Sequence, residues 1–172
     1  MKPIPKAGIA LGILVVLWTF IMGLTGWYKH PTLLNLFWVV ILIQIGVLVW
    51  GLRLTAREGK SYWGQVSAGT LMSLVGGVII FLGSMLFTTV VFPEYFNDLR
   101  KMGEEVLRTQ GMSEGDIKTA LDTQAQMQTP FIQALSGFIG TLATGLVVSL
   151  IVGAFVRKKE VPAPPTESPQ QA

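Results

Sequence analysis

Four stretches of this chain carry no charged residue: Ala7 to Trp27, Thr32 to Leu52, Val66 to Phe92 and Pro130 to Val156. Each reaches or exceeds the roughly 20 residues a helix needs to cross about 30 Å of hydrocarbon. A backbone in lipid must satisfy its own hydrogen bonds, and uninterrupted apolar runs of this length do so as helices. The chain is therefore predicted to be an all-α membrane protein with four transmembrane helices. The third and fourth stretches are longer than one straight crossing requires, so they tilt or project into the headgroups. Composition agrees, since 51% of the 172 residues are hydrophobic and 13% charged, whereas about a quarter of a soluble domain is charged.

Lys2 and Lys6 before the first stretch resemble the start of a signal peptide. The apolar run is too long for one, and "GLTGWYKH" offers no small-x-small cleavage site, so the segment is expected to remain as a helix. The net charge of +3 does not point to nucleic acid, because the basic residues sit at the ends of apolar runs. Placed by the excess of Lys and Arg in cytoplasmic loops, the inner segments hold Lys2, Lys6, Arg53, Arg57, Lys60, Arg157, Lys158 and Lys159. The outer ones hold Lys29 and, offset by seven acids, Arg100, Lys101, Arg108 and Lys118. Both termini are thus expected in the cytoplasm, with Trp27 and Tyr28 at the outer boundary and Trp50, Tyr62 and Trp63 at the inner one.

Between the third and fourth stretches, "PEYFNDLRKMGEEVLRTQG" repeats Tyr95, Leu99, Met102 and Val106 at helical spacing, and Glu104 stands four before Arg108. Pro93 is expected to start this helix and Gly111 to end it. Ser113, with Asp116 three later, caps a second helix carrying Ile117 and Leu121. Residues 94–129 are read as an extracytoplasmic amphipathic helical hairpin. Residues 1–159 form a single integral membrane domain, and the Pro-rich residues 160–172 a disordered cytoplasmic tail. "AGIALGILVV" from Ala7 and "AGTLMSLVGG" from Ala68 echo each other, as a two-helix duplication or chance would produce.

Chemistry is sparse. There is no Cys and one His, so disulfides, thiolate sites and His-rich metal sites are excluded. The four stretches contain no Asp, Glu, Lys, Arg or His, which argues against proton relays and charged-substrate pockets. No catalytic residue, cofactor or metal site is assigned. Asn35, Gln44 and Gln133 are the uncharged polar residues left, and mid-span Gln44 is read as an interhelical hydrogen-bonding group, or else a ligand contact. The acids Glu94, Asp98, Glu104, Glu105, Glu114, Asp116 and Asp122 read as a solvated face, lacking the spacing of a Ca²⁺ loop. His30 reads as an interface residue.

The more informative feature is a track of small residues. Gly137, Thr141, Gly145, Ser149 and Gly153 recur every fourth position, as do Gly69, Ser73 and Gly77, and Gly8 with Gly12. Such tracks let backbones approach closely in lipid. The third and fourth helices are expected to pack through them, or the fourth uses its track against a second copy or a membrane-protein partner. Lining a pore is the alternative, disfavoured by neighbouring Leu142, Leu146 and Leu150.

"YWGQVSAGTLMSLVGG", "FPEYFNDLRKMGEEVLRTQGMSEGDIKTAL" and "PFIQALSGFIGTLATGLVVSLIVGAFVRKK" together resemble domain-of-unknown-function family 4199, uncharacterised small proteins of the bacterial inner membrane. The likeness covers residues 61 to 159 and, more loosely, the first two helices. It implies a bacterial membrane and a hairpin between helices three and four, and it carries no activity. The expected role is a non-enzymatic interaction or envelope-associated protein in contact with membrane lipid. A subunit of a small oligomeric transporter or channel is the alternative, and an enzyme a distant third.

Overall fold

The computed structural model describes residues 2–156, so the tail and the basic cluster from position 157 lie outside the described residues. Within them every element is helical: α1 (Pro3–Leu24), α2 (Pro31–Ala56), α3 (Tyr62–Val91), α4 (Tyr95–Thr109), α5 (Glu114–Met127) and α6 (Pro130–Val156). α1, α2, α3 and α6 are long and apolar enough to cross a membrane.

Local chemistry sets the boundaries, and several differ from those of the uncharged stretches. α1 opens at Pro3, where a missing N–H costs nothing. It stops at Leu24, short of Trp27, because Gly26 takes the left-handed conformation (φ 69°) before a 3₁₀ turn over Trp27–Lys29. α2 runs past Leu52 through Arg53 to Ala56. Its opening is irregular, with a 3₁₀ segment over Asn35–Trp38 before regular helix from Val39. α3 begins at Tyr62 rather than Val66, capped by Ser61, whose hydroxyl accepts from the Gly64 N–H at 3.3 Å. It ends in a π turn over Phe87–Val91, closed by a 2.8 Å bond from the Phe92 N–H to the Phe87 carbonyl. A charge marks where side chains leave the apolar zone, whereas the backbone ladder ends only where a cap or glycine ends it.

α4 starts at Tyr95 because Pro93 and Glu94 form a turn ahead of it, so Pro93 stands outside the helix it was expected to open. Gly111 (φ 77°) closes the connection after α4. Ser113 caps α5, accepting from the Asp116 N–H at 3.3 Å. Arg100 bridges to Asp122 at 2.7 Å, tying α4 to α5, and Arg108 reaches Glu104 at 2.9 Å and Glu114 at 3.2 Å.

α3 is the hub, packing against both α1 and α6 while α2 touches all three. Met72 is fully buried and, with Leu11, Leu48, Ala68 and Val148, forms the apolar core. The α1–α3 contact is a backbone approach: a Cβ on Gly8 would lie 2.7 Å from the Met72 carbonyl oxygen, and one on Gly76 3.0 Å from that of Gly8. Unlike a soluble bundle, the molecule is apolar on its surface as well as in its core. Leu42, Leu82 and Phe155 are 69%, 62% and 84% exposed, while Gln65, Ser73 and Ser149 are at 0%. Such a surface suits lipid, and such an interior suits polar groups that need each other.

Candidate functional site

The small residues of α6 divide between two neighbours. Towards the end of the bundle marked by Tyr62, they meet α3 face to face. A Cβ on Gly145 would land on the Ser73 side chain, one on Gly69 would sit 2.5 Å from Ser149 Cβ, and one on Gly153 would sit 3.2 Å from Gln65 Cβ. Each step of four along one helix is matched by a step of four, in reverse, along the other. Gly77 receives the Phe138 ring, 2.9 Å from a Cβ there to Cδ2, rather than a member of the track. Ser73 Oγ is buried in this seam with no hydrogen-bond partner among the described residues. An unpartnered hydroxyl is costly there, so Ser73→Ala is expected to raise stability by about 1 kcal/mol. A lower unfolding temperature for that variant in lipid nanodiscs would contradict this.

Towards the opposite end, marked by Tyr28, the track turns away from α3. A Cβ on Gly137 would make only ordinary contact, 3.5 Å from Ile80 Cγ2. Thr141 faces α2, where Gln44 Nε2 donates to its Oγ1 at 3.2 Å, and Thr141 Oγ1 itself donates to the Gly137 carbonyl at 2.8 Å. Gln44 is 5% exposed, and its Oε1 has no partner among the described residues. The two sit at the floor of a cavity of about 310 Å³ between α1, α2, α3 and α6. Phe20, Phe37 and Trp38 supply aromatic walls, and Thr19, Ser84, Gln133 and Ser136 the remaining polar ones. Asn35 does not line it, and neither does any Asp, Glu, Lys, Arg or His. A mostly apolar cavity with a few convergent polar groups is the usual form of a small-molecule site.

A second polar pair escaped the reading of the sequence. Thr55 Oγ1 donates to Gln65 Oε1 at 2.6 Å, both residues at 0% exposure, and Gln65 Nε2 is unpartnered among the described residues. Gln65 stands one residue before Val66, where the third apolar stretch is read to begin, and so lies outside it although no charge separates the two. Gln44 and Thr55 are eleven residues apart on α2, within about 20° of one face. Gln44 and Thr141 lie at similar depth, about three turns or a little more into helices that start at Pro31 and Pro130.

At the Tyr28 end a charged lock joins α4 to the α1–α2 connection. Asp98 accepts from the Tyr28 hydroxyl at 2.9 Å and pairs with Lys29 at 2.8 Å. The Lys29 ammonium and then the Tyr28 hydroxyl hold the Asp98 carboxyl below the ordinary carboxylate range, against its partial burial. Asp98 in turn raises Lys29. Burial, followed by the Asp98 hydrogen bond, raises Tyr28. Burial pushes Tyr95 up to about 12. Tyr28, Phe87 and Tyr95 form an aromatic cluster beneath, with Tyr28 and Tyr95 ring centres 5.0 Å apart. His30, the expected interface residue, lines a cleft beside this lock with Lys29, Lys101 and Glu105. Of the seven acids between Pro93 and Pro130, Glu94 precedes α4 and the rest are spread over α4 and α5, and among the described residues no group of three or more His, Cys, Asp or Glu is placed to hold a metal ion.

A family model described as "Protein of unknown function (DUF4199)" matches residues 6–158, which takes in all but the first three residues of α1, the other three long apolar helices, and both α4 and α5. No curated protein and no solved structure matches the chain.

Proposed function

Since the chain belongs to the DUF4199 family, whose description carries no activity, we propose on physical grounds that it is a non-enzymatic interaction protein of the bacterial inner membrane. Both termini are cytoplasmic, and α4 and α5 form a hairpin on the outer face that meets another protein or the membrane surface. The Asp98 lock supports this reading most directly: a segment held to the bundle by Tyr28 and Lys29 is a positioned platform rather than a slack loop. On that platform Leu99, Met102 and Val106 remain only half-buried along one stripe of α4. The distribution of Lys and Arg supports the orientation.

Photoreactive side chains installed at Met102 and at Val106, one at a time, are expected to give discrete protein adducts or lipid-headgroup adducts in cells. Absence of both, together with an unchanged set of co-purifying proteins after deletion of residues 94–129, would falsify the proposal. The cavity at Gln44 favours a second reading, a subunit of a small oligomeric transporter or channel. That reading fails if the reconstituted protein is strictly monomeric and passes no solute or ion.

A further inference from the structure

We propose that the cavity over Gln44 is a binding site for a small uncharged amphiphile bearing a hydroxyl, which enters with its apolar body in the bilayer and places the hydroxyl at the floor. The orientation of the Gln44 amide follows from its neighbours. Thr141 Oγ1 commits its only proton to the Gly137 carbonyl at 2.8 Å, so it can only accept from the amide, and it takes the Nε2 proton at 3.2 Å. Oε1 is left as a buried acceptor with no partner among the described residues, on a side chain 5% exposed that forms part of the cavity wall. The terminal torsion of a glutamine is soft. A donor reaching the floor therefore meets Oε1 after a small turn of the amide, while Nε2 stays on Thr141.

The walls define the rest of the ligand. No ionisable side chain lines the cavity, so a charged headgroup would find no counter-charge and would leave its solvation behind. A hydrocarbon chain alone would fill the space between Phe20, Ile41 and Ile80 but leave the acceptor unpaired. Water satisfies the acceptor but not the aromatic walls. A hydroxyl on an apolar body satisfies both. The volume of about 310 Å³ sits at the lower end of the range for small-molecule sites, which limits the enclosed part to a short chain or a single ring.

The test uses the full chain in phosphatidylcholine nanodiscs and two photoreactive probes, a diazirine-bearing octanol and the matching diazirine-bearing octane, at equal bilayer mole fraction. The alcohol is expected to label the α2, α3 and α6 segments around Gln44, Ile80 and Thr141 about tenfold more than the alkane does, the discrimination of one good hydrogen bond. Gln44→Leu should bring the two probes level, and Ile80→Trp, which adds bulk from the α3 wall of the cavity, should reduce labelling by both. Equal labelling of the wild type would overturn the proposal, as would an alcohol preference that survives Gln44→Leu or a cavity labelled by neither probe. A photoreactive diacylglycerol separates the two sources of such a hydroxyl: labelling at the same peptides assigns a membrane lipid, and labelling by the octanol probe alone a dissolved solute.

Discussion

Gly145→Leu is expected to force α6 off α3 and abolish the folded bundle. A Cβ at this position already overlaps the Ser73 side chain and comes within 3.4 Å of the Gly69 carbonyl oxygen. Three further carbons have nowhere to go, because Gly69 and Ser149 close the same seam one turn away. Overpacking a close-packed interface costs about 1–3 kcal/mol even where neighbours can shift. Here the obstacle includes backbone, so the loss should reach at least about 3 kcal/mol. Gly140→Leu on the same helix is the control, since nothing lies within 4 Å of a Cβ there. Thermal unfolding of the two variants in nanodiscs distinguishes the outcomes. If Gly145→Leu melts with the wild type and Gly140→Leu does not, the close approach of α3 and α6 has been misidentified.

Asp98→Asn is expected to release α4 and α5 from the bundle without disturbing the spanning helices. It removes the charge that Lys29 pairs with at 2.8 Å and weakens the acceptor for Tyr28 at 2.9 Å, the two bonds that fix α4 over the aromatic cluster. Hydrogen exchange should therefore speed up across residues 95–127 and stay slow in α1, α3 and α6. The pH dependence has a defined sign. Asp98 has a lowered folded pKa, so its contribution is present above the unfolded value of about 3.9 and is lost as pH falls through the folded value beneath it. The Asp98 share of wild-type α4 protection should thus be lost only in acid below about pH 4, so that the wild type approaches the variant there. Tyr95 acts in the other direction. With its folded pKa at about 12, its contribution is present below about pH 10 and is lost as pH rises from there to 12. Tyr95→Phe should remove its share of the alkaline loss and leave the share of Tyr28, whose pKa is also raised. Faster exchange in α1 or α3 on Asp98→Asn would show that the lock supports the bundle itself.

The four long helices were legible because absence of charge over a membrane's thickness is a condition few other structures meet. Their ends were less so: Gly26 stops α1 early by its backbone conformation, α2 runs on past the charge at Arg53, and α3 starts at its Ser61 cap, four residues before Val66. Local rules also reached Ser113, Gly111 and the Glu104–Arg108 pair, since each depends on neighbours within a turn or two. What local rules could not reach was pairing at long range. Tyr28 and Asp98 are 70 residues apart and Gln44 and Thr141 97 apart, with no periodicity linking them. The small-residue track is visible in sequence, but its division, tight against α3 beyond Gly145 and loose beside the cavity at Gly137, depends on how α3 and α6 diverge.

The position of α3 at the hub has a consequence for how the protein is made. Its small-residue face is completed by α6, yet α4 and α5 must be synthesised between them, an interval on the order of seconds at ribosomal speed. Until α6 is made, the face of α3 at Gly69 and Ser73 lacks the helix that closes it, while Tyr28 and Lys29 precede Asp98 in the chain. A ribosome that stalls before Pro130 leaves a three-helix intermediate with an open glycine and serine groove, the kind of unfinished surface that membrane quality control can recognise and remove.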